Sequence, residues 1–209
     1  STDVPIVGCS TSEASNYLPD ANTNINCLYN EGPNWHVAVV GDDINNDGSL
    51  EFPFLTIQQA INSSSDDDTI HVSSGAYNEN IILNGKSISI IGEEREATVI
   101  DGGGDFTVVT IDSFATVYIS GFTIRNGQFD EDINSPYYQK AGGISILNGS
   151  NATLNDLHIT ENIGLGYNGG GINCSSNSSD DISTIHLSNS LVDQNWEGGG
   201  IMFSSCTLL

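Results

Sequence analysis

Hydrophobic and polar residues alternate with a period of two in the second half of the chain. Three segments show this most clearly: VYISGFTIRN from Val117, ATLNDLHITEN from Ala152 and IHLSNSLVDQN from Ile185. Because successive side chains of a strand point to opposite faces, each segment is predicted to form short strands with one buried face. The pattern does not fit a helix.

A glycine-rich phrase recurs between these segments at intervals of 28 and 29 residues: AGGISI from Ala141, GGGINC from Gly169 and GGGIMF from Gly198. Aligning the segments gives three mainly apolar columns and a closing Asn column: Ile119, Leu154 and Leu187; Phe122, Leu157 and Ser190; Ile124, Ile159 and Val192; Asn126, Asn162 and Asn195. Such a repeat predicts an all-β solenoid, a right-handed parallel β-helix whose equivalent positions stack coil on coil. Glycines are expected at corners where φ is positive or another backbone approaches closely, and stacked Asn residues are expected in left-handed corners.

The first half of the chain follows the same logic. Strand-like runs occur at 36–40, 68–72, 80–83, 87–91, 97–100 and 106–111. One segment is predicted to be a short amphipathic helix of about two to three turns, with Pro53 at its first position and Leu55, Ile57, Ala60 and Ile61 on one side. This N-terminal helix is expected to cap the open first coil.

Charge and composition restrict the partners. The 209 residues are 37% hydrophobic and carry four Lys plus Arg against 27 Asp plus Glu, a formal charge of -23. Nucleic acid and anionic membranes would be repelled, and no apolar run approaches the ~20 residues that membrane insertion needs. The acidic surface suits divalent cations or simple solvation.

Residues Val39–Gly92 carry the elements VVGDDINNDGSLEFPFLTIQQAI, DTIHVSSGAYNENI and NGKSI, and TVIDGGG and GFTIRNG follow. These resemble the entrance of bacterial secreted β-helix proteins of the pectin-lyase-like superfamily. The resemblance covers Trp35 to Leu209 and implies the fold. It does not fix the function, since this superfamily contains lyases, hydrolases, adhesins and stalks.

Residues Gly8–Tyr29, GCSTSEASNYLPDANTNINCLY, are similar to a short Cys-containing repeat of secreted bacterial surface proteins. The resemblance implies a Cys9–Cys27 bridge and an oxidising, extracellular setting. We therefore predict an N-terminal extension at 1–34 and a β-helix domain at 35–209, which stops in mid-coil.

Cys174 and Cys206 fall in two different inward columns of the alignment. Cys174 aligns with Ile146 and Phe203, and Cys206 with Ser190. Burial as two small hydrophobic side chains is therefore favoured over a bridge between them.

Asp43, Asn45, Asp47 and Gly48 reproduce the first half of an EF-hand-type calcium loop, with Glu51 as the nearby acid. The acid expected at the twelfth position is missing, so a turn made of Asx and Gly residues is the competing and slightly favoured interpretation. The acidic run at 66–68 is interpreted as a solvated turn. The histidines are not expected to stack or to bind metal.

If the chain were an enzyme, the best cleft would flank the excursion at 127–140. Arg125 and Lys140 lie on either side of it, and it contains Tyr137 and Tyr138. A polysaccharide lyase needs calcium or basic groups to neutralise a uronate carboxylate, and a base to abstract a proton. No local motif selects the carboxylate pair of a glycoside hydrolase.

The favoured function is therefore a non-catalytic secreted or cell-surface module that uses its stacked face for adhesion, carbohydrate binding or assembly. A carbohydrate-active enzyme, lyase more than hydrolase, is the alternative. Possible partners are a polysaccharide or cell-surface glycan, Ca²⁺, and either further coils or a second copy at the C-terminal edge.

Overall fold

A computed structural model describes residues 6–10, 14, 17–24, 27, 29–129, 141–164, 169–176, 180–196, 199–204 and 206–209. Within this part of the chain the fold is a parallel β-helix, because the strands of successive coils pair in parallel and in register. The predicted all-β solenoid is confirmed, while its right-handed sense stays a prediction. Among these residues no helix is long and apolar enough to cross a membrane.

Sheet 1 runs the length of the solenoid and pairs its strands in the order β3, β4, β7, β10, β12, β14, β17. It consists of β3 (Asn34–Val37), β4 (Thr69–Val72), β7 (Ser87–Gly92), the first half of β10 (Thr116–Arg125), the first half of β12 (Asn151–Thr160), β14 (Ser183–Ser188) and β17 (Cys206–Leu208).

Sheet 2 continues from sheet 1 around a bend and consists of β5 (Gly75–Asn78), β8 (Thr98–Asp101), the second halves of β10 and β12, and β15 (Leu191–Val192). At the bend, Gly121, Asp156 and Asn189 have φ values of 81°, 50° and 49°. A Cβ at Gly121 would lie 2.5 Å from the carbonyl oxygen of Gly92, so this coil needs glycine for close approach as well as for its backbone conformation.

Sheet 3 closes each coil and consists of β6 (Ile81–Asn84), β9 (Val109–Asp112), β11 (Ile144–Leu147), β13 (Ile172–Ser175) and β16 (Ile201–Ser204). A separate pair, β1 (Val7–Gly8) and β2 (Thr23–Asn24), lies in the N-terminal extension. The division of the chain at residue 34 stays a prediction.

The interior is a stack of aliphatic columns. Ile90, Ile119, Leu154 and Leu187 pair in consecutive strands of sheet 1, and the first three are fully buried. Each fully buried Ile or Leu stabilises the fold by roughly 1.5–3 kcal/mol. The predicted columns that begin at Phe122 and Ile124 are confirmed as well.

The closing Asn column is confirmed in part. Asn162 stacks on Asn195, whose Oδ1 accepts hydrogen bonds from the backbone N and the Nδ2 of Asn162 at 3.1 and 3.0 Å. Asn126 is one residue out of register, because the backbone of Gly127 occupies the position that pairs with Asn162. The left-handed corner falls on Asn126, Glu161 and Gln194, with φ values of 55°, 57° and 49°, and the stacked Asn residues follow it.

Helix α1 (Ile57–Ser63) begins later than predicted. Thr56 is its N-cap, and the Oγ1 of Thr56 accepts a hydrogen bond from the backbone N of Gln59. Pro53 therefore lies before the helix. Leu55 is 42% exposed and does not belong to the buried side.

The buried side of α1 packs against β3, β4 and β6 through Ile57, Ala60 and Ile61. Glu79 of the next coil accepts hydrogen bonds from the first two backbone N–H groups of the helix, at 2.8 and 3.0 Å. Burial nevertheless raises the pKa of the Glu79 carboxyl.

The structure contains two disulfides. Cys9–Cys27 is the bridge that the resemblance implied. Cys174–Cys206 contradicts the prediction of two unbridged cysteines. The predicted register was wrong: Cys206 pairs with Ser183 in sheet 1 and does not align with Ser190. Inner columns of sheets 1 and 3 face each other across a narrow core, so residues of different columns come within 5.8 Å between Cα atoms.

Candidate functional site

The outer side of sheet 1 forms a surface that we call the polar face. Its positions alternate with buried residues along each strand. With the exception of one isoleucine they are polar, and none is Asp, Glu, Lys or Arg: Asn34, His36, Thr69, His71, Ser87, Ser89, Ile91, Thr116, Tyr118, Ser120, Asn151, Thr153, Asn155, Thr184, His186 and Ser188.

The outer sides of the other two sheets differ from the polar face. Sheet 2 has charged outer residues, among them Asp101 and Arg125. The outer residues Thr110 and Ser145 of sheet 3 are buried, with exposed fractions of 2% and 0%. Among the described residues, the outer strand positions of sheet 1 therefore combine accessibility with the absence of charge.

A groove of about 270 Å³ lies over the middle of the polar face. Ser87, Ser89, Thr116, Tyr118 and Thr153 line it, together with Asp67 at the turn before the strands. The groove crosses three consecutive coils, so a ligand lying in it would contact side chains far apart in sequence.

Hydrogen bonds between coils order the side chains beside this groove. The Nδ2 of Asn155 donates to the Oγ of Ser120 at 3.2 Å and to the hydroxyl of Tyr118 at 3.4 Å. The Oδ1 of Asn155 accepts from Ser188 and Asn189 at 3.1 and 2.9 Å. The amide of Asn155 thus joins three coils, which reduces the conformational entropy that ligand binding would have to remove.

His36 and His71 stack at the N-terminal end of the polar face, contrary to the prediction that the histidines do not stack. They pair in adjacent strands, and their ring centroids are 5.1 Å apart with 19° between the ring planes. The Nε2 of His71 lies 3.2 Å from the Oδ1 of Asn34. Burial and the neighbouring His71 lower the pKa of His36. His158 and His186 align with Leu191 and Thr153, as predicted.

His158 belongs to a separate charged network on sheet 2. Its Nε2 lies 3.0 Å from the Oδ1 of Asp193, and its Nδ1 lies 4.0 Å from Glu96. Arg95 pairs with both Glu96 and Asp156 at 2.9 Å. The hydrogen bond from His158 lowers the pKa of Asp193. Two carboxylates therefore flank an imidazole, a group that can take part in acid–base chemistry.

The predicted catalytic group is only partly described. The Nε of Arg125 lies 3.0 Å from the Oδ2 of Asp101, so its charge is paired within the protein. Tyr137, Tyr138 and Lys140 lie outside the described residues.

The predicted calcium ligands take part in structural turns. The Oδ1 of Asp43 accepts from the backbone N of Leu55 and Thr56 at 2.8 and 3.0 Å, and its Oδ2 accepts from the Thr56 hydroxyl at 2.7 Å. The carboxylate of Asp47 accepts from the backbone N of Asn30 and Ser49.

Asn45 donates to Asp42, whose pKa is lowered chiefly by that hydrogen bond, and Glu51 is exposed. Among the described residues, no group of three or more His, Cys, Asp and Glu side chains could hold a metal ion. Calcium binding stays a prediction.

Sequence reasoning missed the polar face because it followed the apolar columns. The signal was nevertheless present. Within one strand, the residues between two inward positions point outward. In the strands of sheet 1 these residues, apart from Ile91, are Ser, Thr, Asn, His or Tyr in a chain that is otherwise rich in Asp and Glu.

The stacked coils define the molecule as a parallel β-helix protein. A sequence model of the family described as "Protein of unknown function (DUF1565)" matches residues 39–205, and the chain belongs to that family. No curated protein matches its sequence.

Three solved structures are similar to this chain, and the first of them supports the fold. A mutant pectin methylesterase in complex with a hexasaccharide matches with a TM-score of 0.50 and 19% identity, over 88% of this chain and 56% of the esterase. Pectin methylesterase PemA from Erwinia chrysanthemi matches with a TM-score of 0.46 and 19% identity, over 88% and 56% of the two chains. A rhamnogalacturonan lyase matches with 0.44 and 12%, over 83% and 62%. The chain thus spans little more than half of the esterase.

Proposed function

We propose that this chain is a non-catalytic, extracellular or cell-surface β-helix module that binds glycans through the polar face. The observation that carries the proposal is an accessible, uncharged outer surface on a protein of formal charge -23. The hexasaccharide complex of the similar esterase is consistent with an oligosaccharide ligand.

The side chains of the polar face suit sugar hydroxyls. Ser and Thr hydroxyls and Asn amides both donate and accept hydrogen bonds, as sugar hydroxyls do. The ring of Tyr118 adds an apolar surface with a polar tip, which is suited to a partner that is partly wet. Contact with the strand positions of this face also avoids the desolvation of a charged side chain, because the one charged residue that lines the groove, Asp67, lies in the turn before the strands.

The charge of the molecule favours neutral glycans. Without a bridging cation, the acidic surface would repel a polyuronate such as polygalacturonate. Arg125 does not offset this repulsion, because Asp101 already pairs with it. If the predicted calcium binding occurs, it would be expected to weaken this preference.

Two disulfides support an extracellular setting, since they form and persist in oxidising compartments. We also expect a right-handed coil, as parallel crossovers are right-handed in almost all sheets. Capping of the first coil by α1 and coverage of the outer edges of β16 and β17 by another strand remain predictions.

The second candidate function is a carbohydrate-active enzyme, a lyase more than a hydrolase. The observation that favours it is the imidazole of His158 between Asp193 and Glu96. Release of unsaturated uronates or of new reducing ends, with and without calcium, would support this alternative, particularly if His158→Gln abolished the release.

Affinity electrophoresis in gels that contain neutral polysaccharides tests the proposed function. We expect at least one polysaccharide to retard the protein, and Thr153→Glu, which adds a second carboxylate to the groove that Asp67 already lines, to weaken retardation about tenfold. Leu191→Glu adds the same charge at an exposed outer position of sheet 2 and is the matched control. Absence of retardation by every neutral polysaccharide, or equal weakening by both substitutions, would contradict the proposal.

A further inference from the structure

A cavity of about 310 Å³ lies at the corner where the chain leaves sheet 2, away from the polar face. Its lining includes Gly103, Gly104, Asn126, Gln128, Glu161 and Ile163. Gly103 and Gly104 have φ values of 68° and 84°, a conformation that favours glycine and leaves this wall without side chains. The volume lies at the lower end of the range for small-molecule sites, roughly 300–1,000 Å³.

One wall of this corner cavity is held in place by hydrogen bonds. The Nδ2 of Asn126 donates to the Oδ2 of Asp101 at 2.9 Å, and the same oxygen pairs with Arg125. The backbone N of Gly103 donates to the other oxygen of Asp101 at 3.1 Å. Asp101 therefore fixes two lining residues and neutralises the nearby guanidinium.

Two polar side chains remain available for a ligand. Within the part of the chain that the structure describes, the amide of Gln128 and the carboxylate of Glu161 have no hydrogen-bond partner. An amide donates and accepts, whereas a carboxylate only accepts. Together they match a ligand with several hydroxyl groups and disfavour an anionic one.

An aromatic residue extends the same corner. Gln128, Ile163 and Trp196 pair in consecutive coils, so they form one column with a spacing of about 4.8 Å. Trp196 is 64% exposed, although large aromatic side chains are usually well buried. Its exposed indole, in the same column as Gln128 and Ile163, offers a flat apolar surface to a ring that carries hydroxyls.

We propose that this corner, from Gly103 to Trp196, is a second glycan subsite that binds one neutral sugar residue. The C–H face of the sugar packs on the indole of Trp196, and its hydroxyls bond to Gln128 and Glu161. An acidic sugar is disfavoured, because the carboxylate of Glu161 would repel it and the charge of Arg125 is already paired within the protein. The inference extends the proposed function to a second location and can be tested separately.

The fluorescence of the two tryptophans of the chain reports directly on ligand binding at the corner. Trp35 is 6% exposed, so collisional quenching of fluorescence by acrylamide reports mainly on Trp196. The probes are hexaoses of glucose, mannose, galactose and xylose, with hexagalacturonate as the acidic comparison. We expect at least one neutral hexaose to shift the emission to the blue and to reduce quenching, and hexagalacturonate to do neither.

Isothermal titration with the same hexaose measures the contribution of the corner. Trp196→Ala should weaken binding about tenfold, as expected for loss of an aromatic anchor, and Trp196→Phe should retain most of it. Phe114→Ala removes another exposed aromatic residue away from this column and is the matched control.

Unchanged affinity in Trp196→Ala, unchanged fluorescence with every neutral hexaose, or stronger binding of hexagalacturonate would overturn the inference. The two proposals fail in different ways. Loss of binding in Thr153→Glu alone supports the polar face and overturns the corner subsite. Loss of binding in Trp196→Ala alone supports the corner subsite and contradicts the polar face.

Discussion

Asp43 organises the turn before α1 through both oxygens of its carboxylate. Its three hydrogen bonds to Leu55 and Thr56 fix the residue that caps the helix. The sequence DINNDG predicted that this region is either a calcium loop or an Asx turn, and the structure shows the turn contacts. The helix start was predicted wrongly because Pro53 is a strong local signal, whereas the bonds that fix Thr56 come from a residue 13 positions earlier.

Asp43→Ala tests this structural role. Loss of the carboxylate leaves two backbone N–H groups and a hydroxyl without their acceptor, and should lower the free energy of unfolding by about 2 kcal/mol. Denaturant titration in the presence of a chelator measures the change. Asp105→Ala is the control, because Asp105 is exposed and should change stability by less than about 0.5 kcal/mol. Equal losses in both variants would show that the contacts of Asp43 contribute nothing specific.

The same titration with calcium in place of the chelator tests the predicted cation site. A ligand that binds only the folded state raises its stability by mass action. Stabilisation of the wild type that is absent from an Asp43→Ala/Asp47→Ala double variant would support calcium binding. Identical shifts in both proteins would rule out a site at these residues.

At the scale of elements, the second half of the chain was easier to predict than the cysteine pairing. Leu154 and Leu187 lie in register because their segments repeat the same alternation. The register of β17 was wrong because only one residue separates it from β16, too short a connection to reach sheet 2. A bridge across the core, Cys174–Cys206, depends on two sheets facing each other and leaves no signal in a column alignment.

Cys174→Ala/Cys206→Ala tests the contribution of this bridge. A loop with a sequence separation of 32 gives a loss of about 3 to 4 kcal/mol in the chain-entropy model. In a solenoid the loss should be local, so hydrogen exchange should accelerate in β13, β16 and β17 and stay unchanged in β4 and β7. Cys9→Ala/Cys27→Ala is the matched control and should leave exchange in the β-helix unchanged. Uniform acceleration, or none, would contradict this localisation.

At the scale of the whole molecule, charge is distributed unevenly among the three sheets. The outer residues of sheet 2 include ion pairs, those of sheet 3 are buried where Thr110 and Ser145 lie, and those of sheet 1 are uncharged and accessible. Composition gave the total charge but not its distribution, because assigning residues to a sheet requires the register of every coil. For the same reason the corner cavity had no local motif: its lining comes from three coils.

The polar face as a glycan-binding surface is the central claim, and residue-resolved NMR titration with a neutral hexaose that binds tests it most directly. We predict that amide resonances of Tyr118, Thr153 and Asn155 shift in a concentration-dependent way, while those of Thr110 and Ser145 in sheet 3 do not. Shifts confined to sheet 3, or no shift at Tyr118, Thr153 and Asn155 at saturating ligand, would contradict the claim.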